Sequence, residues 1–233
     1  VLTSFDGQAT VAQIQESLVP DVIEDDWKKW WADAKKEMKS DGHFQLPVKK
    51  TEPIIYHAQE LSAHDQLLSN LRDAKGLKAQ IAAATEIHKG IGDVENKDAV
   101  IGEVIKILNL AIKNHMNLKP SLSLEAILLR DAIRSDVGME PVEGELEAGS
   151  VFEKADDLAE VIEGLSAAKQ KLALDAFRLS HTDTWVDRYL EMLNSSGLRL
   201  AGELAQMLIE AGHFDRFKDH LEQLVSKHEA STD

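Results

Sequence analysis

The chain has no cysteine among its 233 residues. That absence removes disulfides, thiolate zinc sites and cysteine nucleophiles together, and it fits a reducing cytoplasm. No apolar run approaches the ~20 residues needed to span a membrane, and no signal peptide heads the sequence. Aromatic residues make up only 5%, so the apolar 43% consists mostly of Leu, Ile, Val and Ala. That mixture suits helix-on-helix packing better than a sheet. Cations are outnumbered, 26 against 41 acidic residues, for a formal net charge of −15. Such a chain repels nucleic-acid phosphate overall, which disfavours binding by its whole surface but leaves room for a local basic stripe.

Catalytic signatures are missing as well. No HExxH, no GxGxxG and no GxxxxGK[ST] occurs, so neither a helical zinc site nor a phosphate cradle is encoded. Of the nine histidines, His213 and His220 are seven apart, farther than the one-turn spacing of helical metal motifs. Ser180, His181 and Asp183 spell the letters of a catalytic triad, but three polar residues at a helix junction read as caps. The stretch GDVENKD (92–98) lacks the glycine of a calcium loop and puts Lys97 where a ligand belongs. The expectation is a chain without catalytic residues, metal or cofactor.

What is present is helical period. From Leu61 onward apolar residues recur at three- and four-residue spacing. The stripes are Leu67, Leu68, Leu71, Leu77, Ile81 and Ala84, with Ile87 or His88, then Val100, Ile101, Val104, Ile105, Leu108 and Ile112. Ser121 or Ser123 is expected to cap the next helix, which stops near Gly138. The last third gives four more. One has Ser166 as cap and a face of Leu172, Ala176 and Leu179. The next has Thr182 or Asp183 as cap, with Val186, Leu190 and Leu193. The third runs from Leu198 to Gly212, and the fourth carries Phe214, Phe217, Leu221, Leu224 and Val225. Links of two to four residues force neighbours to run antiparallel. The expected fold is all-α: an array of antiparallel helical hairpins, an irregular HEAT- or TPR-like solenoid or a bundle, with a short strand–turn–helix start.

The start places a strand before Gly7 and a helix over about Ala9–Leu18. A lone strand is not stable. Either it joins a sheet elsewhere or residues 1–20 are the tail of an upstream small domain, and a chain that begins at Val1 favours the second. Residues 21–59 then hold a tryptophan-rich helix and an extended arm, 60–138 a first helical array, 139–149 an acidic linker, and 150–233 a second array. The acidic run 140–164 reads as a solvated linker or, alternatively, a docking strip for a basic partner.

The most distinctive stretch is DDWKKWWADAKKEM (25–38). Asp25 or Asp26 can cap it, and Gly42 can stop it. At about 100° per residue, Trp27, Trp30, Trp31, Ala34 and Met38 share one stripe, while Lys28, Lys29, Lys35, Lys36 and Lys39 share another face. The stripe reads as core, as a partner anchor, or as both, since tryptophan is enriched at interface hot spots. The lysine face reads as solvated, or as a contact for phosphate or an acidic partner. Beyond it, Pro47 and Pro53 enforce an extended path through Lys49 and Lys50.

Residues 26–54 resemble a segment of long bacterial Gre-type transcription elongation factors. There a Trp-Lys-Lys-Trp-Trp-type helix precedes an extended Pro, Lys-Lys, Pro-Ile stretch, matched here by Trp27, Trp30, Trp31, Pro47, Lys49, Lys50, Pro53 and Ile54. Residues 1–18 also look like the end of a small β domain that can precede it. Gre-type factors stimulate RNA cleavage through a coiled-coil tip with acidic residues that help hold a metal. No such coiled coil is evident here, nor the globular domain that should follow it, so the resemblance transfers no catalytic residue. It implies a cytoplasmic, non-catalytic interaction module contacting RNA polymerase or an associated protein through Trp27, Trp30, Trp31, Lys28, Lys29, Lys35, Lys36, Lys49 and Lys50. The competing readings are a general helical scaffold, an enzyme with an inter-helix pocket, and nucleic-acid contact through the lysine face.

Overall fold

The structure is a computed structural model that describes all residues except 24–25, 48–50, 59–62, 94–95 and 231–233; the side chains of 39–40, 63–64, 93 and 227–230 also lie outside the description. The chain is an all-α helical array with a small sheet near its start. It divides into two compact units, Val1–Val100 and Ile101–Asp233.

The first unit opens with a 3-10 turn, Leu2–Phe5, where a strand is expected. Asp6 and Gly7 are both left-handed, with φ of 53° and 81°, and turn the chain into β1 (Gln8–Ala9). Gly7 is required there: its carbonyl accepts the Tyr56 amide at 2.7 Å, and a Cβ would stand 3.3 Å from the Tyr56 carbonyl. Thr10 and Gln13 then form a reciprocal capping box that starts α1 (Val11–Leu18). A turn leads to α2 (Trp27–Ser40), followed by β2 (Phe44–Gln45) and β3 (Ile54–Tyr56). The sheet order is β1-β3-β2, both pairings antiparallel, with Gln8 opposite Ile55 and Phe44 opposite Tyr56. The extended arm is therefore two strands of this sheet. Pro47 and Pro53 lie between those strands, where no ladder amide is needed. The first strand finds its partner in β3.

Two helices complete this unit, α3 (Ala63–Asp73) and α4 (Leu77–Lys89), packed together through buried Leu68, Leu71, Leu77, Ile81, Ala84 and Ile87. Gln45 on β2 ties the sheet to α3, its amide donating to Ser69 Oγ at 2.5 Å and Asp73 Oδ2 at 3.2 Å.

Beginning with α5 (Lys97–His115), the second unit stacks α6 (Pro120–Val137), α7 (Ala148–Lys154), α8 (Leu158–Glu163), α9 (Ala167–Ser180), α10 (Trp185–Met192), α11 (Leu198–Glu210) and α12 (Phe214–Ala230). Helix α6 packs on α7, α8 and α9, and α11 packs on both α10 and α12. Phe152 meets Phe177 edge-on at 5.1 Å, and the buried Tyr189 donates its hydroxyl to the Leu174 carbonyl at 2.6 Å. Three expectations fail here. Neither Ser121 nor Ser123 caps α6: Lys119 occupies the cap without a side-chain bond, and Pro120 sits at the first helical position, where its missing amide costs nothing. Thr184, not Thr182 or Asp183, precedes α10. On α9 the buried face is Ala173, Leu174 and Phe177, while Leu172 and Leu179 are exposed. That helix carries apolar residues on more than one face, and the face with the large Phe177 ring is the one that packs.

Candidate interaction surface on the tryptophan helix

Asp26 starts α2 as expected, its carboxylate accepting the Lys29 amide at 3.2 Å from a left-handed cap (φ 52°). Asp25 lies outside the described residues. At the other end Asp41 receives the His43 amide at 2.9 Å and His43 Nδ1 at 2.9 Å. The backbone bond foremost, with the His43 side chain second, holds the Asp41 carboxyl below its usual value. This turn sets the angle at which α2 feeds into β2. His43 also stacks on Tyr56 at 5.9 Å, joining the same turn to β3.

The apolar stripe divides. Trp27, Trp31 and Met38 pack against the small core of Ala9, Ile14 and Ile54, together with Phe5, Val11, Leu18 and Phe44. Half-burying an indole removes roughly 100 Å² from water, about 2.5 kcal/mol for each of the two rings. The three indoles also stack along the helix, Trp27 lying 5.3 Å from Trp30 and 5.4 Å from Trp31. Trp30 is different: it is 40% exposed. With Trp31, Met38, Leu2, Leu18 and Phe44 it lines a largely apolar groove of about 530 Å³ between the 3-10 turn, α1 and α2. Leu2, Leu18, Phe44 and Tyr56 belong to this groove and escape a reading of the sequence, because only the sheet pairing brings them to α2.

Lys28, Lys29, Lys35 and Lys36 are all exposed. None of them makes an ion pair with a described residue. Lys49 and Lys50 lie outside the described residues.

The second unit holds a buried charged cluster that periodicity does not reveal. Arg130 is 1% exposed and Arg134 5%. Arg130 donates to Asp131 Oδ1 at 2.8 Å, Asn109 Oδ1 at 2.8 Å and the Leu146 carbonyl at 3.0 Å. Arg134 pairs with Glu145, which also accepts Asn109 Nδ2 at 2.6 Å. Burial pushes the Glu145 carboxyl up, but the Asn109 and Arg134 hydrogen bonds and the two guanidinium charges outweigh it and leave it below its usual value. This cluster fastens the segment between α6 and α7 onto α5 and α6, a structural role.

The triad letters end α9 without converging. Ser180 Oγ donates to the Ala176 and Phe177 carbonyls at 3.0 and 3.1 Å and lies 2.8 Å from His181 Nδ1, and the His181 ring stacks on Phe177 at 4.2 Å. His220 meets Asn194, and His213 lies edge-on to Trp185. Of the calcium-like stretch, residues 94 and 95 lie outside the description, and Lys97 begins α5. Among the described residues no three His, Asp or Glu side chains form a metal-binding group, and no helix is long and apolar enough to cross a membrane.

Comparison with known proteins places this architecture. Residues 1–61 match the GRAD helix-turn-helix domain, the span that holds α1, α2 and the sheet. Transcription elongation factor GreA of Chlamydia trachomatis serovar D is 25% identical over 214 residues, which cover 88% of this chain and 28% of that protein. The chain thus spans little more than a quarter of that relative's length. No solved structure matches. Residues 63–233, well over half of the sequence, match the GreA-associated C-terminal domain. The chain belongs to the GreA-associated C-terminal domain family.

Proposed function

We propose that this chain is a non-catalytic, cytoplasmic interaction module of a Gre-related transcription factor, and that it docks onto RNA polymerase or a protein bound to it. The family membership and the name of the Chlamydia relative support the transcriptional setting. The observation that carries the docking role is Trp30, an exposed indole on the lip of an apolar groove that it lines with Trp31 and Met38 of α2 and whose other wall is Leu2 and Leu18. A large ring presented on a rigid, pre-packed helix loses little entropy when a partner covers it, which is why such residues dominate interfaces.

The test is affinity capture of the tagged full-length protein from its own cells, after nuclease treatment, with Trp30→Ala beside it. RNA polymerase subunits should come down with the parent protein. Trp30→Ala should reduce their recovery by about thirtyfold, the scale of a 2 kcal/mol hot spot, with an unchanged circular dichroism spectrum. Absence of polymerase from the parent capture would leave a general scaffold as the better reading. A substrate turned over by the purified protein would make it an enzyme instead.

A further inference from the structure

The lysine face of α2 is separate from the tryptophan stripe, and its chemistry is different. All seven cationic side chains of residues 1–60 fall between Lys28 and Lys50, and all seven are lysine. Within α2 the acid Glu37 stands on the flank beside Trp30, and Asp33 stands at the edge between that flank and the Lys29–Lys36 row. Lys28 and Lys35 form one row and Lys29 and Lys36 a second, the members of each row two turns apart, about 10 Å along the axis. The rows border a face about 120° wide, whose centre is turned about 120° from the core-packed tryptophans. At its centre sits the exposed Ala32. Lys35 opens onto a polar hollow of about 430 Å³ lined by Gln66, Ser69 and Asn70, which offer amides and a hydroxyl and no carboxylate.

We infer that this face lies against the phosphate backbone of double-stranded DNA, with α2 in the major groove. Helix α2 is the second α-helix of the span that matches a helix-turn-helix domain, and the second helix is the element that such motifs offer to a groove. A helix about 10–12 Å across fits the B-form major groove, about 12 Å wide. The two lysine rows then reach the phosphates of the two groove walls. Ala32, pointing at the floor, supplies no hydrogen bond to a base edge. The contact is electrostatic and indifferent to sequence. The −15 net charge of the chain does not prevent it, since charges more than about 8 Å away are screened at physiological ionic strength. An A-form RNA duplex is refused, because its deep, narrow major groove does not admit a helix.

The experiment is fluorescence anisotropy of the full chain with labelled 20-base-pair duplexes. Two unrelated DNA sequences should bind within about threefold of each other, and an RNA duplex at least tenfold more weakly. Four neutralised phosphates give a slope of log K against log salt of about −3.6, so affinity should fall about a hundredfold between 50 and 200 mM salt. The variant Lys28→Gln/Lys29→Gln/Lys35→Gln/Lys36→Gln should abolish binding while its circular dichroism stays that of the parent. The control Lys113→Gln/Lys171→Gln, on exposed positions of α5 and α9, should bind as the parent does. No binding to DNA at 50 mM salt, equal loss in the control, or equal binding of the RNA duplex overturns the inference. Because the polymerase capture is done after nuclease treatment and reads Trp30, either result can fail without the other.

Discussion

Glu145 is the side chain whose chemistry most constrains the second unit. It is 9% exposed and carries its charge between Arg134, Arg130 and Asn109. Removing one member of a buried pair leaves the other desolvated and uncompensated, at a cost of about 3 kcal/mol. Glu145→Gln is therefore expected to lower the unfolding free energy by about that amount at pH 7 in urea melts. The pH dependence has a definite sign. The folded carboxyl titrates below its ordinary value of 4.5, so its contribution is complete above that value. It is lost as pH falls through the lowered one. The difference between parent and variant should accordingly shrink on acidification, and a gap that stays constant down to pH 3 would remove Glu145 as its source. Tyr189 makes a simpler case. Its hydroxyl, pushed toward higher pKa first by burial and then by Asp175, is bonded to a helix carbonyl that already has a backbone donor. Tyr189→Phe should cost only about 1 kcal/mol in the same melts. Neither role was legible in the sequence. Glu145 stands in a run of acids and glycines that reads as solvated linker, and its partners lie eleven to thirty-six residues away. The tryptophans were legible as a stripe because three rings on one helix create a local signal. Their division into two packed rings and one exposed ring depended on the strands.

Helix existence was readable outside residues 140–164, where α7 and α8 bury Phe152 and Ile162 in a run that reads as solvated linker, and helix ends and faces were less so. Gly138, left-handed at φ 68°, ends α6 where a glycine stop was expected. At the other end serine competes with proline as a start signal, and the proline wins because it presets φ. Helix α9 shows the limit of periodicity. Leu172 and Leu179 make as good a stripe as Leu174 and Phe177, and only the neighbours of α9 decide between them. The crossing of α8 on α6 has a sharper determinant. A Cβ on Gly164 would come within 2.5 Å of Ser121 Oγ and 2.7 Å of Ser121 Cβ. The hydroxyl can rotate away, but the Cβ cannot. Gly164 has ordinary helical φ, so alanine there would be favourable on propensity. Gly164→Ala should instead destabilise by about 1–3 kcal/mol through overpacking. Adding Ser121→Gly, which removes both clashing atoms, should recover most of that loss. A double variant no better than the single one would mean that the two helices do not meet at these positions.

Fifteen acidic residues of the whole chain have no cation to balance them, and that excess sets how the molecule responds to salt. Its visible surface ion pairs are short-range and exposed: Glu86 with Lys89, Glu191 with Arg188, Asp175 with Arg178. Each is worth about 0.3–0.5 kcal/mol, and screening weakens it. Against these few pairs stands the mutual repulsion of the unbalanced carboxylates, which compaction forces together and screening relieves. Repulsion has more participants, so added salt should stabilise the fold. A gain of about 1 kcal/mol between 20 and 300 mM salt corresponds to a rise of about 2–4 °C in Tm for a chain of this length. The lysine face of α2 gains from screening in the same direction, because four like charges share one helix. Yet the same face should lose its grip on duplex DNA over the same range, since that grip depends on releasing counterions. Scanning calorimetry and anisotropy across one salt series should therefore move oppositely, Tm upward and affinity downward. A Tm that falls with salt would show that paired surface charges, and not the acidic excess, govern the stability of the folded chain.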